Sequence, residues 1–171
     1  MTQDDLITVI AFLGVVGLAA ILTRFVGKPR ATTDAPPQDK RPRIIVDGSN
    51  VMFWGGDPSI KPLQDMADSL RAKGFQPFFV FDANVGYKLQ DRYIDDAEMA
   101  RWIGVPSDNV LVVEKGVIAD ERILQIADEN GTRVVSNDRF RDWGTQYPWV
   151  RRKGRVVRGS FKGGALKWQS L

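Results

Sequence analysis

The chain contains no cysteine and no histidine. Without cysteine there are no disulfides and no thiol nucleophile; without either residue there is no Cys/His zinc site and no Ser-His-Asp triad. Any catalysis therefore falls to carboxylates, lysine, arginine and hydroxyls. Any metal would meet only oxygen donors, which points to Mg²⁺ or Mn²⁺. A P-loop is missing too: Gly159 to Lys167, GSFKGGALK, is rich in glycine and lysine but lacks the Gly-Lys-Ser/Thr ending. What is present, 171 residues that are 43% hydrophobic and 26% charged, suits one globular domain plus an extra segment.

The net charge of +3 conceals an asymmetry. Residues 31–138 hold 12 Lys and Arg against 18 Asp and Glu, whereas residues 139–171 hold 9 against 1. An acidic body with a basic tail suits a carboxylate-metal centre beside a groove for a polyanion; the plainer reading is a solvated tail.

Leu6 to Thr23 carries no charge and continues past Arg24 into Phe25-Val26. About 20 residues of helix span a bilayer core of roughly 30 Å, so residues 6–26 are expected to form a single transmembrane helix after a short tail, 1–5. Asp4 and Asp5 stand before the run, where a signal peptide carries positive charge, and Arg24, Lys28 and Arg30 follow it. This bias orients the C-terminal side toward the cytoplasm. Residues 27–42, with Pro29, Pro36, Pro37 and Pro42, read as an extended linker. A domain is expected over 43–171.

Within it, strand and helix patterns alternate, which predicts an α/β fold with a mainly parallel sheet. Strands are expected at Ile44–Val46, Pro77–Phe81, Val110–Val113, Arg133–Ser136 and, less distinctly, Arg155–Arg158. Helices are expected at Pro62–Lys73, Asp91–Ile103 and Asp120–Glu129, each closed by a glycine. Asp95, Asp96 and Glu98 read as a solvated helix face.

Set against this layout, Asp47 follows the first strand, Asp82 the second, Asp120 the turn after the third and Asp138 the fourth. Parallel strands end at one edge, so four acids converge on one rim, where α/β proteins bind ligands. Each has a structural alternative: Asp120 and Asp138 as helix N-caps, Asp82 in an Asx-turn. Asp47 is the hardest to excuse, because a buried carboxylate needs compensation. Clustered acids repel one another unless a divalent cation lies among them.

Such a rim suits metal-assisted hydrolysis of a phosphodiester. Ser49, Asn50, Lys88, Arg139, Arg141, Arg151 and Arg152 are candidates for holding the substrate, and the run continues to Lys153 and Arg155. Trp54, Trp143, Tyr147 and Trp149 either stack on unpaired bases or, as large rings more often do, fill the core.

RIIVDGSN at Arg43–Asn50, followed some 90 residues later by VVSNDRFRDW, resembles the NYN branch of the PIN-like nucleases, specifically the Zc3h12a (Regnase)-like ribonuclease type. The resemblance covers about Arg43 to Trp143. It implies a three-layer α/β sandwich, Mg²⁺-dependent endoribonuclease activity and single-stranded or looped RNA as substrate. It places metal ligands at Asp47, Asp120 and Asp138, with Asp142 a nearby supporting acid; Gly48 and Asn50, beside Asp47 in the sequence, read as its supports. Two departures stand out: Ala119-Asp120 replaces the adjacent acids of the animal proteins, with Asp82 as a substitute inferred from strand geometry, and their Cys/His zinc finger is missing. Together with the apolar run, the resemblance implies a bacterial form held at the inner membrane. The competing reading is a non-catalytic RNA-binding or membrane-surface adaptor on a degenerate nuclease fold.

Overall fold

The structure is a computed structural model that describes residues 39–169. The apolar run 6–26 and the linker as far as residue 38 lie outside the described residues. Among the described residues, no helix is long and apolar enough to cross a membrane.

Five short strands form one parallel sheet: β1 (Arg43–Asp47), β2 (Gln76–Phe81), β3 (Val110–Val112), β4 (Val134–Val135) and β5 (Val156–Val157), in the order β3-β2-β1-β4-β5. β1 pairs with β2 over five positions, from Arg43↔Gln76 to Asp47↔Val80, and with β4 at Ile45↔Val134 and Val46↔Val135. Strand pleating sends alternate side chains to opposite faces. Ile44, Val46, Phe79, Phe81, Val135 and Val157 belong to one apolar cluster, while Ile45, Val80 and Val134 belong to another.

Helices cover both faces, as parallel strands require. On the first face lie α1 (Gly48–Val51), α2 (Lys61–Ala72), α3 (Val85–Gln90) and α4 (Asp96–Ile103), contributing Val51, Leu63, Met66, Leu70, Val85 and Met99. On the second lies α5 (Ala119–Glu129), with Ile123, Leu124, Ile126 and Ala127 inward beside Phe140, Tyr147 and Trp149. The three-layer α/β arrangement expected from the sequence is present.

Two expected elements differ. The single helix expected over Asp91–Ile103 begins only at Asp96. Asp91 takes a left-handed conformation (φ 54°) that closes α3, and Asp95 caps α4 by accepting the Glu98 N–H at 2.8 Å. Asp96 is not simply solvated: its Oδ1 accepts the Val112 N–H at 2.6 Å, covering the open edge of β3. An unpaired strand edge exposes donors to any passing chain. Asp96→Ala is expected to lower stability by about 1–3 kcal/mol, the cost of leaving that donor unsatisfied, read as an earlier thermal or urea midpoint.

The second difference is the end of the chain. Beyond β5, an antiparallel hairpin forms from β6 (Gly159–Lys162) and β7 (Ala165–Trp168). Gly163 and Gly164 both have positive φ (61° and 74°), the backbone that a two-residue turn between twisted strands demands. This is the role of the glycines in GSFKGGALK. Trp168 Nε1 donates to Ser69 Oγ of α2 at 2.9 Å, so the hairpin is docked on the body.

Candidate active site

β1 connects onward to β2 on one side, while β4 pairs on its other side. Strand order therefore reverses between β1 and β4, and the crevice at their carboxyl ends is where such sheets bind ligands. Asp47 ends β1 there and is only 5% exposed. Its Oδ1 accepts the Asn50 N–H at 3.0 Å, which caps α1, and its Oδ2 accepts the Ser136 hydroxyl at 2.7 Å from the end of β4. Ser136 is fully buried, and its Oγ also accepts the Asp138 N–H at 3.0 Å. One hydroxyl thus ties both sides of the crevice together.

Burial pushes the Asp47 carboxyl up to about 7; its two hydrogen bonds oppose this, and the charges of Asp120 and Asp82 add to it. Asp120 is also raised, first by burial and then by Asp138, Asp82 and Asp142. The mutual repulsion shows that all five carboxylates share one field. Asp47, Asp82, Asp120 and Asp138 thus meet on one rim, with Asp142 beside them.

The alternatives for these acids now separate. Asp120 does not cap α5: the cap position is Ile118, and Asp120 lies inside the first turn. Asp138 caps no helix; its Oδ1 accepts the Phe140 N–H at 2.6 Å in an Asx-turn, ahead of a 3-10 turn at Arg141–Trp143. Asp82 makes no Asx-turn, and its carboxylate accepts no hydrogen bond from the described residues. Its backbone N–H donates to Ser49 Oγ at 2.9 Å.

The Asp-Gly-Ser-Asn run is therefore a set of braces. A Cβ on Gly48 would fall 2.1 Å from the Phe81 ring, so only glycine lets α1 begin beside β2. Ser49 joins the end of β1 to the end of β2. Asn50 Oδ1 accepts both Trp54 Nε1 at 2.8 Å and the Asn137 N–H at 3.0 Å. Ser49 and Asn50, expected to touch substrate, spend these hydrogen bonds on holding the rim.

The arginines divide. Arg139, Arg141 and Arg151, joined by Arg158, line a cavity of about 460 Å³ floored by Phe140 and Val150, at the β5 end of the rim. Arg152 is exposed and outside this lining. Arg155 is structural, its guanidinium 4.7 Å from the centre of the Trp149 ring and its Nη1 donating to Gly131 O at 3.0 Å. Lys88 is exposed on α3 with its Nζ 5.8 Å over the Phe53 ring. Of the aromatic rings, Tyr147 and Trp149 are buried and Trp54 is engaged by Asn50, so they fill the core instead of offering stacking faces. Trp143 is half-buried against the same cluster.

Sequence reading missed Ser136 and Arg158 as parts of the site. Ser136 stands in the VVSND run, directly after two buried valines, and only the pairing of β4 with β1 shows that it faces Asp47.

The donor set is all oxygen and repels itself, which fits a hard divalent cation. Among the described residues, no three acids stand close enough together to enclose an ion. A Mg²⁺ ion that keeps most of its waters and takes one or two carboxylates at a time meets this spacing; a protein cage does not.

A five-stranded parallel sheet with helices on both faces and an acidic rim at its switch point defines an α/β protein with a ligand crevice at its strand ends. Residues 40–168 match the Zc3h12a-like Ribonuclease NYN domain, and the chain belongs to that family. Among solved structures, it is similar to two of nuclear protein-only RNase P 2 (PRORP2) from Arabidopsis thaliana, with TM-scores of 0.56 and 0.58 at 19% and 20% identity. Each likeness covers 74% of this chain but only 29% of the plant protein, and it shows the fold. No curated protein sequence matches.

Proposed function

We propose that this chain is a Mg²⁺- or Mn²⁺-dependent endoribonuclease that hydrolyses phosphodiester bonds of single-stranded or looped RNA on the acidic rim. The observation that carries this reading is the buried Asp47 carboxyl at the switch point, held by Ser136 and sharing its rim with four other acids. Membership of a ribonuclease domain family supports the substrate class.

One or two of Asp47, Asp120 and Asp138 at a time would hold the cation, the rest of its coordination being water, with Asp142 in support. When bound, the cation supplies a water of lowered pKa and positive charge for the phosphate. The chain's own residues do the rest. Ser136 fixes the Asp47 carboxylate toward the crevice, and Arg139, Arg141 and Arg151 hold a flanking phosphate by bidentate contacts. Asp82, whose carboxylate has no hydrogen bond to satisfy, takes the proton of the attacking water. That water's oxygen bonds to phosphorus, the bond to the leaving ribose oxygen breaks, and that oxygen gains a proton from solvent.

We further propose that residues 6–26 anchor the domain to a bacterial inner membrane with the nuclease on the cytoplasmic side. The uncharged run and the cationic residues after it support this reading.

The test is cleavage of labelled single-stranded RNA and of the same sequence in DNA by the 171-residue chain, in Mg²⁺, in Mn²⁺ and in EDTA. Cleavage of RNA with either cation and none in EDTA is expected. Salt-sensitive RNA binding without turnover would instead establish an adaptor, the reading that the wide spacing of the acids favours.

A further inference from the structure

The acidic rim has a different neighbour at each end. Along the sheet edge, the arginine cavity lies beyond β4 and β5, while a groove of about 540 Å³ lies beyond β2 and β3. Ala83 and Asn84, immediately after Asp82, form one wall; Val113 and Lys115, after β3, form another. Tyr87 from α3 and Tyr93 from the following loop complete it, and at 57% and 61% exposure they are the most exposed large apolar side chains among the described residues.

This exposure is built, not incidental. A Cβ on Gly86 would fall 2.3 Å from Arg92 O and 2.7 Å from Ile94 N, so the loop carrying Tyr93 lies directly against the helix carrying Tyr87. Ile94, 1% exposed, anchors that loop in the core. Tyrosine presents a large rigid face with little side-chain entropy to lose. The Asn84 side chain makes no capping hydrogen bond, so its amide is free for a polar edge. The lining is mostly apolar, and its acid Glu114 offsets its base Lys115, so the groove offers a phosphate no net positive charge.

We propose that this groove binds an unpaired nucleobase of the RNA strand, stacked on Tyr87 or Tyr93, while the arginine cavity holds a phosphate at the other end of the rim. The inference rests on the ribonuclease reading. With strands spaced about 4.8 Å apart, the five-stranded edge measures roughly 19 Å, so one short single strand reaches both anchors with the carboxylates between them. A paired base has no free face to offer. The groove therefore selects single-stranded or looped substrate.

The experiment compares steady-state cleavage of a short single-stranded RNA by the full chain and by its Y87A/Y93A and Y87F/Y93F variants. The alanine pair is expected to raise KM at least tenfold, since each base–aromatic stack is worth about a fivefold to hundredfold change in affinity, with kcat changed less than threefold. The phenylalanine pair is expected to recover most of the lost affinity. In parallel, RNA carrying 2-aminopurine is expected to lose fluorescence on binding the unsubstituted chain, a measurement that stands even if a variant fails to fold. A KM indifferent to Y87A/Y93A, or bound 2-aminopurine RNA that is not quenched at any position, overturns the groove assignment and leaves the nuclease reading intact. Failure of the unsubstituted chain either to bind or to cleave RNA overturns both.

Discussion

Asp47→Asn is expected to abolish RNA cleavage and, in the absence of divalent cation, to raise the melting temperature at pH 8. The two effects come from one cause. The Asp47 carboxyl ionises near 3.8 in the unfolded chain and is pushed up to about 7 in the folded one. Between those values the native state holds a proton that the unfolded state has lost, so stability falls as pH rises through this window and is level outside it. At pH 8 the ionised carboxylate works against folding by about 2–4 kcal/mol. Asparagine removes the charge and keeps the oxygen that accepts the Asn50 N–H, while its amide donates to Ser136 Oγ at a cost of about 1 kcal/mol for rearranging that bond. The net gain is several degrees at pH 8 and disappears near pH 4. Cleavage falls by a thousandfold or more, as when one member of a catalytic unit is removed. Millimolar Mg²⁺ should stabilise the native chain, most at high pH, and leave the variant unmoved. Calorimetry at both pH values and a cleavage assay measure all of this; residual cleavage above one percent, or a variant less stable at pH 8 than the unsubstituted chain, would sink the role given to Asp47.

Gly48→Ala is expected to destabilise the domain by about 3 kcal/mol or more, the upper range for overpacking a core. The added Cβ would lie 2.1, 2.4 and 2.6 Å from three atoms of the Phe81 ring. That ring is fully buried and stacked on Phe79 with centroids 6.3 Å apart, so it has nowhere to swing. The backbone must move instead, and it moves next to Asp47, so cleavage falls with stability. Phe81→Leu in the same chain should relieve the clash, making the double variant at least about 1 kcal/mol more stable than the two single losses added together. Urea denaturation supplies the four midpoints. A Gly48→Ala variant that melts within two degrees of the unsubstituted chain would falsify the close approach.

Much of this arrangement was legible beforehand because it depends on local rules. Ile44 to Val46 is a continuous apolar run that stops at an acid, and Phe78 to Phe81 is another; buried parallel strands look like this and little else does. The convergence of Asp47, Asp82, Asp120 and Asp138 followed from strand direction alone. What failed depended on partners remote in sequence. The pattern at 91–103 is periodic enough for one helix, yet Asp91 turns left-handed because the loop must close on Gly86. Asp96 looks like surface charge until the edge of β3 arrives beside it. The terminal hairpin lacks a strong apolar alternation and is held by Trp168 on Ser69 and by Asn137, whose Nδ2 donates to Gly159 O at 3.0 Å. No short-range signal marks Ser136 as the partner of Asp47, 89 residues away.

That separation has a consequence for how the activity comes into being. The Asp47–Ser136 bond closes only when β4 slots in beside β1, and β4 is itself flanked by β5, the last strand of the sheet. A nascent chain can form β1, α2 and β2 early, because they are near neighbours in sequence and domains emerge from the ribosome N-terminus first. It still holds only half of the crevice, without Ser136, Asp138 or the arginines. Any product of truncated translation or of proteolysis before residue 136 therefore lacks the pair, and the crevice is complete only once the final strands of the sheet have joined it.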